Sequence, residues 1–151
     1  MIPKADGVSF RPLGIPTIKD RIVQQCVRQV LEPICERKFH KHSYGFRPNC
    51  NAKQAIARSY RLIQLGNYHQ VISFDIKSFF DKINHDLLLR QCWNIGIKDK
   101  RIIKLIKLML QAGFVENGQF IRTDEGTPQG GIISPLLANI CLNSLDWFVS
   151  K

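Results

Sequence analysis

Val71-Ile72-Ser73-Phe74-Asp75-Ile76-Lys77-Ser78-Phe79-Phe80-Asp81 is the stretch on which the fold turns. An apolar, β-branched run ends near a carboxylate, and two aromatic rings follow among lysines. The two-residue period predicts a strand over 71–76, with Ser73 and Asp75 on one face and Ile72, Phe74 and Ile76 on the other, against denser apolar packing. A carboxylate held by a rigid strand suits a metal-dependent enzyme acting on nucleic acid, because Mg²⁺ demands near-ideal octahedral oxygen geometry.

Downstream, Gly126-Thr127-Pro128-Gln129-Gly130-Gly131-Ile132-Ile133-Ser134-Pro135 reads as a glycine-rich turn entering a helix, with Ser134 as cap and Pro135 as first helical residue. Between the two stretches, Asn84 and Asp99 are expected to cap helices that end near Gly96 and Gly113. Asn117-Gly118 is expected to close a hairpin joining 114–116 to 119–122. Upstream, residues 2–15 read as a hairpin or irregular ribbon. A helix is expected from Asp20, with Ile22, Val23, Cys26, Val27, Val30 and Leu31 on its core face until Pro33 disrupts it. An ordered loop over 39–51 then leads into a helix capped by Asn51 and ending at about Gly66. Helices and strands without regular βαβ alternation place the chain in the α+β class.

At 151 residues and 44% hydrophobic, the chain can bury one sizeable core, as one domain or two closely packed lobes. Its 22 Lys and Arg against 12 Asp and Glu give a net charge of +10, which favours a polyanionic partner, nucleic acid first. Five widely spaced cysteines with no C-x-x-C pair signal neither a zinc site nor a disulfide frame and fit a reducing cytosol. Met1-Ile2-Pro3-Lys4-Ala5-Asp6-Gly7 lacks the apolar core of a signal peptide, and Lys104 and Lys107 interrupt the most apolar helix, so no membrane association is expected.

Asp75 is the candidate catalytic residue and metal ligand; the plainer alternative is a strand-end aspartate that is solvated or caps a turn. Asp81 and Asp86 are explained by helix capping and dipole compensation. Of Phe79 and Phe80, one is expected in the core, while the other, assigned as Phe80, sits under the sugar of an incoming nucleotide and excludes a 2′-hydroxyl. The glycines of 126–131 permit backbone N–H groups and Gln129 to approach a base pair or phosphate, although such turns are more often plain connections. Arg47 and Lys53 are candidates for a triphosphate, against a solvated basic face. Lys100, Arg101, Lys104 and Lys107 read first as an amphipathic surface, with backbone contact to a duplex as the second reading. The four histidines form no ligand pattern.

Taken together, these pieces resemble the reverse transcriptase domain of group II intron-encoded proteins, the intron maturases. Arg11-Pro12-Leu13-Gly14-Ile15-Pro16 with Asp20-Arg21-Ile22-Val23-Gln24 resembles the first block of that family, and Ser43-Tyr44-Gly45-Phe46-Arg47-Pro48 the second. Phe74 through His85 resembles the third, and Gly126 through Gly131 with Ser134-Pro135-Leu136-Leu137-Ala138-Asn139 the fourth. Retron and diversity-generating reverse transcriptases are alternatives; the first two blocks lean toward introns.

The resemblance implies right-hand polymerase fingers over 1–70 and a partial palm over 71–151, with helices on a small, mainly antiparallel sheet. It implies RNA-templated DNA synthesis from deoxynucleoside triphosphates on a primer, two Mg²⁺ ions, intron RNA as a partner in splicing, and a cytoplasmic or organellar setting. By the same resemblance Asp75 and the main-chain carbonyl of Ile76 hold metal, and Arg47, Lys53, Phe79, Phe80, Gln129 and Gly130 meet the nucleotide. Arg11, Arg21, Gly126, Pro128 and Ser134 then lie near nucleic acid. The family's Tyr-x-Asp-Asp motif does not occur among these residues, so the chain alone is expected to be inactive. The alternative is a non-enzymatic RNA-binding or self-associating module, including a homodimer.

Overall fold

Thr17 starts the first helix. Its hydroxyl accepts the Asp20 backbone N–H at 3.2 Å and donates to the Asp20 carboxylate at 2.6 Å, so α1 runs Ile18–Glu36. Asp20, expected as the cap, instead lies in the first turn, where its charge complements the helix dipole. The computed structural model describes residues 2–3, 10–11, 14–116, 118–128 and 130–150, with the backbone alone at 2–3, 10–11 and 116.

Pro33 does not end α1. Leu31 and Cys35 are buried on either side of it, and their packing outweighs the one backbone hydrogen bond that proline removes. The buried stripe of α1 is Gln24, Val27, Leu31 and Cys35; Ile22, Val23, Cys26 and Val30, expected in the core, are exposed. Spacings of three and four residues line one narrow face, and among the described helices α1 packs chiefly on α5 (Ser134–Val149), so only that face is covered.

Asn51 begins α2 (Ala52–Leu65) through a full capping box, its side chain accepting from Gln54 N while the Gln54 side chain accepts from Asn51 N. None of the residues of α2 is buried, and Ile56, Tyr60 and Ile63 face solvent.

The expected strand over 71–76 is irregular backbone. Val71, Ile72, Phe74 and Ile76 are 78%, 89%, 66% and 44% exposed, so neither face packs on a core. A strand exists only through its ladder, and no described strand pairs with this run. A short 3-10 helix, Phe79–Asp81, follows Ser78, whose φ of +52° turns the chain sharply.

Asn84 and Asp99 cap α3 (His85–Ile95) and α4 (Lys100–Leu110) as expected, accepting from Leu87 N and Arg101 N respectively. α3 lies at the centre, with α4 and α5 packed on it. Leu88, Cys92, Ile106, Leu110, Leu137 and Ile140, with Cys35 of α1, are the fully enclosed side chains among the described residues.

β1 (Ile2–Pro3) pairs antiparallel with β2 (Phe10–Arg11), and β3 (Phe114–Glu116) with β4 (Gln119–Ile121), Phe114 standing opposite Ile121. The turn residue Asn117 lies outside the described residues. The chain is α+β, but the helices pack on one another rather than on a sheet. The second hairpin leaves Phe114, Val115, Phe120 and Ile121 exposed, so its apolar side chains are not covered by the helices. Among the described residues no helix is long and apolar enough to cross a membrane.

Candidate active site

The glycine-rich loop is clamped to the 3-10 helix and the residues just after it by three hydrogen bonds. Thr127 N donates to Phe80 O and Gly126 N to Ile83 O, each at 2.7 Å. The Gly126 carbonyl lies 2.7 Å from His85 Nε2 and can only accept, which places the His85 proton on Nε2. Gly126 adopts a φ of +83°, and a β-carbon there would stand 2.7 Å from the Asp81 carbonyl oxygen and 2.9 Å from that of Phe80. Glycine is required at this position both for its conformation and for its size. The His85 Nδ1 and the Thr127 hydroxyl are buried beside the clamp with no hydrogen-bond partner among the described residues.

The far end of the loop is tied to α1 and α5. Gln24 Oε1 accepts from Ile132 N at 2.8 Å, and the Ser134 hydroxyl donates to Pro128 O at 2.9 Å. Ser134 is therefore the first residue of α5 rather than its cap; Ile133 precedes the helix with no side-chain cap. The hydroxyl donates to the loop carbonyl, and the start of α5 has no side-chain cap. The amides of Gly126, Thr127, Gly131 and Ile132 all bond within the protein, so they are not the phosphate-facing donors the sequence suggested. Gly130, at φ +99°, is exposed; Gln129 lies outside the described residues.

The loop over 39–51 reaches the same place. Asn139 of α5, 8% exposed, donates to Gly45 O at 2.8 Å. Phe46, held at φ +55°, then presents its ring edge-on to Phe80 at 6.4 Å between centroids, and Phe80 meets Phe79 at 5.6 Å. Phe79 is partly buried against the core, Phe80 is partly buried beside it, and Phe46 is exposed.

Arg47 turns inward. Its guanidinium donates to the Glu36 carboxylate at 2.8 Å and to the carbonyls of His40 and Ser43 at 2.7 and 2.8 Å, and it lies over the Phe39 ring. The Glu36 carboxylate holds it above its ordinary pKa. With its donors so engaged, Arg47 shapes the Phe46 loop and is not presented to a triphosphate. Lys53 is exposed in the first turn of α2, and Arg21 is exposed on α1.

Asp75 and Ile76 are exposed in irregular backbone. Among the described residues no group of three His, Cys, Asp or Glu could hold a metal ion, so Asp75 is not part of a complete side-chain ligand set here. Phe80, Phe79, Gly126, Pro128 and Ser134 are thus brought together, joined by Phe46, while Asp75, Lys53 and Arg21 are exposed and form none of these links. The sequence reading missed Gln24, His85 and Asn139, whose side chains tie the loops to the helices.

A family model described as reverse transcriptase (RNA-dependent DNA polymerase) matches residues 2–151. The group II intron-encoded protein LtrA of Lactococcus lactis subsp. cremoris is 45% identical over 98% of this chain and 24% of its own length. Protein YkfC of Escherichia coli (strain K12) is 42% identical over 99% of the chain and 40% of its own length. Nuclear intron maturase 1, mitochondrial, of Arabidopsis thaliana is 25% identical over 89% of the chain and 26% of its own length. The chain therefore spans less than half the length of each of these relatives.

Proposed function

The chain belongs to the reverse transcriptase (RNA-dependent DNA polymerase) family, among the group II intron-encoded proteins and maturases, and from that premise we propose that it forms the nucleotide-binding side of an RNA-templated DNA polymerase centre. The observation that carries the reading is the clamp that sets Phe80 directly against the glycine-rich loop. It anchors the Phe80 backbone on Thr127, in the same loop as the exposed Gly130, and an aromatic ring held there would seat a deoxyribose and crowd out a 2′-hydroxyl. Gln129 and Lys53 belong to the proposed nucleotide contacts, whereas Arg47 is a positioning residue.

In this proposal, residues 1–70 correspond to polymerase fingers and 71–151 to part of a palm. Asp75, with the Ile76 carbonyl, contributes to a Mg²⁺ centre that the described residues do not complete. Magnesium would stabilise charge at the transferred phosphoryl group. With one candidate metal carboxylate, these 151 residues are proposed not to polymerise unaided. RNA template, DNA primer and intron RNA are the proposed partners, in a cytoplasmic or organellar setting. The second reading, an RNA-binding or self-associating module, draws on the +10 charge.

Primer extension on an RNA template with Mg²⁺ tests the proposal, comparing this chain with a version prolonged through a Tyr-x-Asp-Asp hairpin. Extension is expected from the longer protein alone, lost on Asp75→Ala and less selective against ribonucleotides on Phe80→Val. Undiminished synthesis by the Asp75→Ala protein would overturn it.

A further inference from the structure

We propose that the solvent face of α4 is a docking surface for the phosphate backbone of structured RNA, separate from the candidate active site. Lys100, Lys104 and Lys107 recur at helical spacing and are all exposed, so they form one stripe with roughly 4.5–6 Å of rise between neighbours. Lys98 and Arg101, also exposed, flank it. α4 itself contains no acidic residue; its cap Asp99 is already paired with Arg101 at 2.9 Å.

The stripe is rigid, because the opposite face of α4 is locked into the core through Ile106 and Leu110, both essentially inaccessible. That same burial leaves no apolar face to enter a lipid surface. Leu108 is the large apolar side chain exposed on this helix, too little to anchor a protein partner, whereas counterion release on phosphate needs only the cations.

Next to the stripe, Lys98 Nζ lies 4.8 Å from the centre of the Trp93 ring, which is 37% exposed. A half-exposed indole carrying a lysine at the foot of α4 suits an unpaired base adjoining a backbone, as single-stranded flanks of folded RNA supply. Trp93 is eight residues beyond His85 on α3, about 12 Å along the helix axis, so the surface lies away from the clamp that builds the active site.

The proposal does not depend on the polymerase reading, since its readout is binding. Fluorescence anisotropy of a labelled RNA stem-loop with single-stranded flanks, titrated with the protein between about 50 and 200 mM salt, measures the number of phosphate contacts. Replacing all three lysines (Lys100→Gln, Lys104→Gln, Lys107→Gln) is expected to make the slope of log affinity against log salt shallower by about 2–3, at about 0.7–0.9 per lost contact. Each single replacement gives its share, and the corresponding three Lys→Arg changes leave the slope as it was. An equal loss of charge elsewhere, Lys41→Gln with Arg58→Gln and Arg61→Gln, is expected to leave the slope in place. A slope unmoved by the α4 changes, or moved as far by the control set, overturns the proposal.

Discussion

Gly126 lies against Asp81 so closely that a methyl group on its α-carbon would stand 2.7 Å from the Asp81 carbonyl oxygen. Two parts of the chain more than forty residues apart are thereby held backbone to backbone, with no side chain between them.

Gly126→Ala is expected to destabilise the protein by about 2 kcal/mol or more, from the left-handed conformation and the contact with backbone that cannot move aside. Urea unfolding measures it. A midpoint equal to that of the parent would show that the loop and the 3-10 helix are not clamped in solution.

Gln24→Met keeps the volume of the side chain and removes the acceptor for Ile132 N. Leaving that amide unpaired is expected to cost about 1–3 kcal/mol. Amide hydrogen exchange at Ile132 should quicken in the variant while exchange at Leu88, in the middle of α3, changes only with global stability.

Arg47→Met removes the partner of Glu36 and frees the carbonyls of His40 and Ser43 together. The pair is only partly buried, at 10% and 23% exposure, so an expected loss of about 2–3 kcal/mol is less than a fully enclosed pair would show. Arg47→Lys recovers little of it, because an ammonium cannot grip a carboxylate in a fork and reach two carbonyls at once. Full recovery by lysine would argue for a simple charge effect.

Burial pushes the Cys35 and Cys92 thiols up to about 12. An unfolded thiol ionises near about 8.5, so the folded state binds the extra proton above that pH. Their contribution is complete below about pH 8.5 and is lost as pH rises toward 12, at about 1.4 kcal/mol per unit for each thiol. Melting temperature should fall through this window, and a thiol reagent at neutral pH should label exposed Cys26 well before either buried cysteine. Equal labelling rates for Cys26 and Cys92 would contradict the packing described for α3.

Local signals were the legible ones. Asn51, Asn84 and Asp99 each show their capping role in a few neighbouring residues, and each caps. Pro33 misled because its effect depends on what flanks it, and Leu31 and Cys35 are anchored by contacts distant in sequence. The 71–76 run misled for the complementary reason: alternation describes the face a strand would bury, but pairing depends on a neighbour. In the site, Gly126 and Phe80 announced themselves by residue type. Gln24 and Asn139 did not, since a polar residue within a helix ordinarily means solvent, and only the tertiary fold brings loop backbone within their reach. Arg47 was noticed for its charge, while its actual partners, Glu36 and two carbonyls, become visible only when the loop closes on α1.

The bare run from Val71 to Ile76 also bears on how the purified chain behaves. Six residues with no proline, rich in β-branched and aromatic side chains and carrying a single charge, resemble the short segments that zip into cross-β stacks, and here they are open to water. Concentrated samples should grow fibrillar or amorphous precipitate from this segment before the helical core melts, and one lysine in place of Phe74 should delay it.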